Sequence, residues 1–255
     1  MQFGCCCSLD QAEAAKAAGF DFVECTVRSL TPEVDEFAPV LAAYGASPLP
    51  VKAFNVFLPG DLKITGPSVD WPAVQSYVDE ALRRVDQIGA LIVVFGSGGA
   101  RNVPDGFSFD EADGQLKRFL EIVAKAAEPL GITVVIEPLN KLESNVINSV
   151  PAGVALAEAV GSSSVQVLAD LYHMMMDGEN LENVRTHAQW IQHIHVADSG
   201  RFAPGTGDYP YAEFFAMLHA IGYDGLISVE CRWRNFEEEA AGAVAFLKRM
   251  WAECA

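Results

Sequence analysis

No apolar run in this chain approaches the roughly 18 residues that a membrane-spanning helix requires. The start, Met1-Gln2-Phe3-Gly4, lacks the basic stretch of a secretory leader, so the expected location is cytoplasmic. Basic residues are scarce: 17 Lys and Arg stand against 34 Asp and Glu, a net charge of −17. Such a field repels phosphate backbones and anionic lipid, which argues against nucleic-acid and membrane partners and leaves small neutral ligands and cations. A CxxC pair is also missing. The six cysteines (Cys5, Cys6, Cys7, Cys25, Cys231 and Cys254) include three in a row, which suits neither a disulfide framework nor a zinc site, and they read as small buried hydrophobes. Nor is there a GxGxxG fingerprint. Phe95-Gly96-Ser97-Gly98-Gly99-Ala100-Arg101 is glycine-rich but reads as a tight loop, with Arg101 free to meet an anionic substrate group. What is plentiful is apolar surface: 51% of the 255 residues are hydrophobic, enough for a packed core in one α/β barrel.

Short β-branched runs alternate with longer amphipathic stretches, and no linker interrupts them. Strands are expected at residues 3–7, 20–26, 51–57, 91–95, 133–137, 165–170, 193–197 and 226–231. Helices are expected at 9–18, 32–44, 71–88, 109–130, 151–160, 181–187, 211–221 and 236–251. Glycines at 19, 45, 89, 131, 161 and 222 punctuate the helix ends. Runs such as Ile132-Thr133-Val134-Val135-Ile136 are apolar on both faces, as in a parallel strand covered on both sides. Eight consecutive βα units predict a (β/α)8 barrel spanning 1–255 as one domain, with a doubly wound open sheet as the alternative.

In such a barrel chemistry collects at the C-terminal ends of the strands. The first four strands offer mostly small or apolar residues there. The last four offer Glu137, Asp170, His195 and Glu230. Each alone is compatible with a helix cap or a satisfied core residue, but three carboxylates converging on one mouth repel each other unless a cation joins them. Three oxygens and one imidazole suit Mn²⁺, Co²⁺ or Mg²⁺, and are compatible with Zn²⁺. Glu143, His173 and Arg201 follow these positions in the loops, placed to hold hydroxyl and carbonyl oxygens of a polyol.

The stretches Val135-Ile136-Glu137-Pro138-Leu139-Asn140-Lys141-Leu142-Glu143, Asp170-Leu171-Tyr172-His173-Met174, His195-Val196-Ala197-Asp198-Ser199-Gly200-Arg201 and Ile227-Ser228-Val229-Glu230 carry a resemblance. They resemble the xylose-isomerase-like TIM-barrel superfamily of sugar isomerases and epimerases, and within it the D-tagatose and D-psicose 3-epimerase group. The resemblance implies Glu137, Asp170, His195 and Glu230 as ligands of a divalent metal, Mn²⁺ first. It implies Glu137 and Glu230 as the acid/base pair, and Glu143, His173 and Arg201 as substrate contacts. It further implies a sugar or polyol carbonyl substrate, a role in carbohydrate metabolism, and pairing of barrels as a homo-oligomer. The expected chemistry is proton removal beside a carbonyl through a cis-enediolate, in ketose 3-epimerisation. Hydroxypyruvate-type or keto-inositol isomerisation and inosose dehydration are the alternatives. An abasic-site endonuclease of the same superfamily would need more histidines than five and a basic surface.

Overall fold

The computed structural model describes residues 1–254. Among them, eight strands pair in parallel and in sequence order: β1 (Gln2–Cys6), β2 (Phe22–Thr26), β3 (Val51–Asn55), β4 (Ile92–Phe95), β5 (Thr133–Ile136), β6 (Val165–Asp170), β7 (Ile191–Val196) and β8 (Leu226–Val229). β8 returns to β1 and closes the barrel. The described residues also form ten α-helices: α1 (Ala12–Ala18), α2 (Ala38–Gly45), α3 (Trp71–Ile88), α4 (Gly98–Arg101), α5 (Phe109–Ala127), α6 (Val150–Val160), α7 (Leu171–Asp177), α8 (Glu182–Thr186), α9 (Tyr211–Ala220) and α10 (Phe236–Glu253). The fold is therefore the (β/α)8 barrel that the alternation predicts, and the open sheet is excluded.

Local chemistry explains where these elements start and stop. Helix α3 begins where Asp70 accepts a hydrogen bond from Ala73 N at 3.1 Å and Pro72 occupies the first turn, and it stops at Gly89 in the left-handed conformation. A helix starting at residue 32 does not form. Pro39 lacks an N–H and its ring would collide with the preceding turn, so α2 begins at Ala38 with the proline in its first turn. Helix α7 was not anticipated: it is nucleated by Asp170, whose Oδ1 accepts from Tyr172 N at 2.7 Å and His173 N at 3.4 Å.

Apolar burial has two compartments. A large cluster fills the layer between barrel and helices, with contacts such as Phe95 on Phe119 at 4.8 Å between ring centroids. A separate small cluster of Val94, Val135 and Leu168 occupies the barrel lumen. On the β1 side the lumen is filled by the Phe22 ring lying against Gly4, where a Cβ would overlap the ring.

Candidate active site

Strand parity brings the four predicted donors to one place. Glu137 follows the last residue of β5, Asp170 and His195 lie in β6 and β7, and Glu230 follows β8. One ligand atom from each of these residues lies within 4.8 Å of those of the other three. His195 Nδ1 is 3.3 Å from Glu137 Oε1 and 3.6 Å from Glu230 Oε2. Asp170 uses Oδ1 as a helix cap and leaves Oδ2 buried with no hydrogen-bond partner. The cap thus uses one oxygen of the carboxylate and leaves the other, the expected ligand atom, without a donor. A buried carboxylate oxygen without a donor, beside two further carboxylates and an imidazole nitrogen, fits a divalent cation.

The electrostatics split the two glutamates. Burial pushes the Glu137 carboxyl up, and the nearby charge of Glu230 adds to it. Burial acts on Glu230 as well, but its contact with His195 and the Arg201 guanidinium outweigh it and hold that carboxyl down at about 2. Such a divergence is how one site obtains an acid and a base.

The three expected substrate contacts surround this centre. Arg201 donates to Glu143 at 3.1 and 3.2 Å and to Glu230 Oε2 at 2.5 Å, with its guanidinium over the Tyr172 ring. His173 Nδ1 accepts from the backbone N–H of Asn140 at 3.2 Å, so in the neutral ring the proton sits on Nε2. That Nε2 is buried without a partner, 3.7 Å from Asp170 Oδ2 and 4.0 Å from Glu137 Oε1. Glu230 and Glu143 border a cleft of about 310 Å³ shared with Val56, Gly96, Leu139 and Arg201. Val56, Ser97 and Arg201, all on this cleft, adopt left-handed backbone at φ 49°, 36° and 61°. Non-glycine residues pay for that conformation, and such strain gathers where loops are shaped for a ligand. A larger groove of about 620 Å³, lined by Phe109, Leu116, Ile147 and Leu156, contains none of the four donors.

Three expectations need correction. Arg101 does not reach a ligand: it is fully buried, donates to the carbonyls of Phe95 at 3.0 Å and Glu137 at 2.8 Å, and ties the ends of β4 and β5 together. Burial pulls its guanidinium down to about 10. The first half of the barrel is also less bland than its composition implies. Asn55, the last residue of β3, donates to Glu230 Oε1 at 3.4 Å, and β2 contributes the fully buried Glu24, bonded to His193 and His195. The signal for Glu24 was a lone carboxylate inside the apolar run Phe22-Val23-Glu24-Cys25. All six thiols are free, but only Cys5 and Cys25 are buried as expected; Cys6, Cys7, Cys231 and Cys254 are partly buried, and the Cys6 sulfur belongs to a group with Glu24 and His195.

A family description of xylose isomerase-like TIM barrels matches residues 12–250. A Streptomyces coelicolor protein, provisionally named hydroxypyruvate isomerase, is 32% identical over 240 residues, covering 87% of this chain and 84% of the relative. The D-psicose 3-epimerase of Agrobacterium fabrum is 35% identical over 109 residues, a local match of 42% of this chain and 38% of that enzyme. Among solved structures, the D-psicose 3-epimerase with D-tagatose from Clostridium cellulolyticum H10 superposes with a TM-score of 0.86 at 20% identity, over 98% of this chain and 99% of the other. At that identity the likeness concerns the fold.

Proposed function

The chain belongs to the xylose isomerase-like TIM barrel family, and on that premise we propose that it is a divalent-metal-dependent sugar epimerase/isomerase working as a ketose 3-epimerase. The observation that carries this reading is the convergence of Glu137 and Glu230, with Asp170 and His195, on one centre. Epimerisation beside a carbonyl takes a proton from one face of a carbon and returns one to the other. Glu230, ionised, removes the C–H proton and leaves the substrate as an enediolate. Glu137 relays a proton from solvent to the opposite face, and solvent exchange resets Glu230. Glu137, Asp170, His195 and Glu230 would hold the cation, Mn²⁺ first, which when bound supplies Lewis-acid polarisation of the substrate carbonyl. Arg201, Glu143 and the Nε2–H of His173 orient substrate oxygens.

A second reading, isomerisation of hydroxypyruvate, is favoured by the 32% identity of the relative that matches over 87% of this chain. The cleft supports a neutral substrate better, because its cation Arg201 is already matched by Glu143 and Glu230. The test incubates Mn²⁺-loaded protein in D₂O with a panel of ketoses and with hydroxypyruvate, read by NMR. Deuterium at C3 of an epimerised ketose is expected. Label appearing only in an aldose–ketose or hydroxypyruvate product moves the assignment to an isomerase, and no exchange with any of them overturns the reading.

A further inference from the structure

Beneath the four donors lies a second polar layer that the proton chemistry does not use. The Glu24 carboxylate is fully buried in the lumen. Its Oε1 accepts from His195 Nε2 at 2.9 Å, and its Oε2 accepts from His193 Nε2 at 2.8 Å and Ser228 Oγ at 2.7 Å. The partners sit on β7 and β8, so these bonds cross the barrel from β2 rather than running along a strand pair.

An imidazole has two nitrogens, and in the neutral ring only the unprotonated one has a lone pair for a metal. In His195 the nitrogen facing Glu137 and Glu230 is Nδ1, and the one facing away is Nε2. We propose that Glu24 is a positioning residue: by accepting the Nε2 proton of His195 it fixes the ring's orientation and leaves Nδ1 as the donor to a divalent cation held with Glu137, Asp170 and Glu230. His193 and Ser228 serve that purpose by anchoring the other carboxylate oxygen, so that Oε1 stays aimed at His195. A carboxylate in this place also raises the basicity of the ligating nitrogen more than a neutral acceptor does. The inference rests on the reading of the four residues as a metal centre.

The test measures Mn²⁺ binding to the full chain by calorimetry for wild type, Glu24→Gln and Val135→Ala. Loss of this outer contact is expected to weaken Mn²⁺ binding about 10- to 100-fold. Val135→Ala, a lumen substitution away from the network, lowers the melting temperature and leaves the affinity unchanged, which separates positioning from general destabilisation. A wild-type measurement stands even if Glu24→Gln fails to fold: in ¹⁵N-histidine NMR of the Zn²⁺-loaded protein, His195 should carry its proton on Nε2. Undiminished Mn²⁺ affinity in folded Glu24→Gln, or a proton on Nδ1, overturns the role of Glu24 alone. Failure of wild type to bind Mn²⁺ or Zn²⁺ overturns the metal centre and this inference with it.

Discussion

The two sides of the barrel lumen are built from opposite chemistry. Strands β4, β5 and β6 turn Val94, Val135 and Leu168 inward, where they form one apolar cluster with Ile92 packed against it. Strands β2, β7 and β8 turn Glu24, His193, His195 and Ser228 inward, joined by hydrogen bonds. Burying aliphatic groups gives stability without direction, because the hydrophobic effect is proportional to area and has no preferred geometry. A buried carboxylate among imidazoles gives direction at the expense of desolvation, because each polar atom must find a partner at a fixed angle. The apolar side is thus suited to hold the barrel closed, and the polar side to aim the groups at its mouth.

That contrast breaks most visibly at the mouth itself. Glu137→Gln and Glu230→Gln should each lower turnover by about 10²–10⁴-fold, since an amide neither accepts nor gives the required proton. Circular dichroism should stay native. Turnover on the substrate identified by the D₂O panel is the readout, with bound metal measured alongside because both residues are candidate ligands. Retained turnover in either variant would detach the pair from the chemistry. Leu168→Ala should have the opposite profile. It empties a fully buried position on the apolar side and should cost about 2–5 kcal/mol in denaturant unfolding while leaving Mn²⁺ affinity alone. If it weakens metal binding instead, the two sides are not separable.

A change at the seam between the two sides tests how finely the mouth is set. Gly96 follows β4, and a Cβ there would overlap Glu137 Oε2. Gly96→Ala should therefore push the Glu137 carboxylate aside and lower kcat by up to about 10²-fold, the scale expected for a displacement of about 1 Å, with little loss of melting temperature. A variant with wild-type kcat would mean that the carboxylate has room to move without consequence.

The same contrast explains what the sequence made legible. Strands such as Thr133–Ile136 were readable because parallel strands covered on both faces are continuous apolar runs. Glu137, Asp170 and Glu230 stood out because each interrupts or ends such a run at the edge where barrels do chemistry. Glu24 lies two residues short of the end of β2 and looks like any isolated carboxylate; only closure of the barrel, which sets β2 across from β7, gives it partners. Helix α7 was hidden for a local reason, since Asp170 was read as a donor and its second use as a cap needs the backbone that follows. Arg101 misled because a charged residue in a glycine-rich loop suggests exposure, whereas the carbonyls at the ends of β4 and β5 receive it inside.

The smallest expected effect concerns protons competing with a cation on the polar side. Glu230 is held down at about 2, so its contribution to stability is complete above the ordinary carboxylate range and fades only as pH falls toward that value. Glu137 and His195 behave in the opposite sense. Burial and Glu230 raise Glu137, while at His195 burial is outweighed by Glu24 and the result is also upward. Groups raised in the folded state stabilise it below their ordinary range and lose that contribution as pH climbs through the raised values. Without metal the polar side should thus weaken as pH climbs through those raised values, and over the same climb a cation faces fewer protons to displace. Mn²⁺ at about 100 times its dissociation constant stabilises by about 2.7 kcal/mol, which in a chain of this size corresponds to about 5–10 °C in melting temperature. That gain should appear at pH 8 and shrink at pH 5.5 for the same Mn²⁺ concentration, as read by scanning calorimetry with a chelated control. Equal gains at both pH values would mean that the cation binds without displacing protons from Glu137 and His195, and would move its site away from the polar side of the barrel.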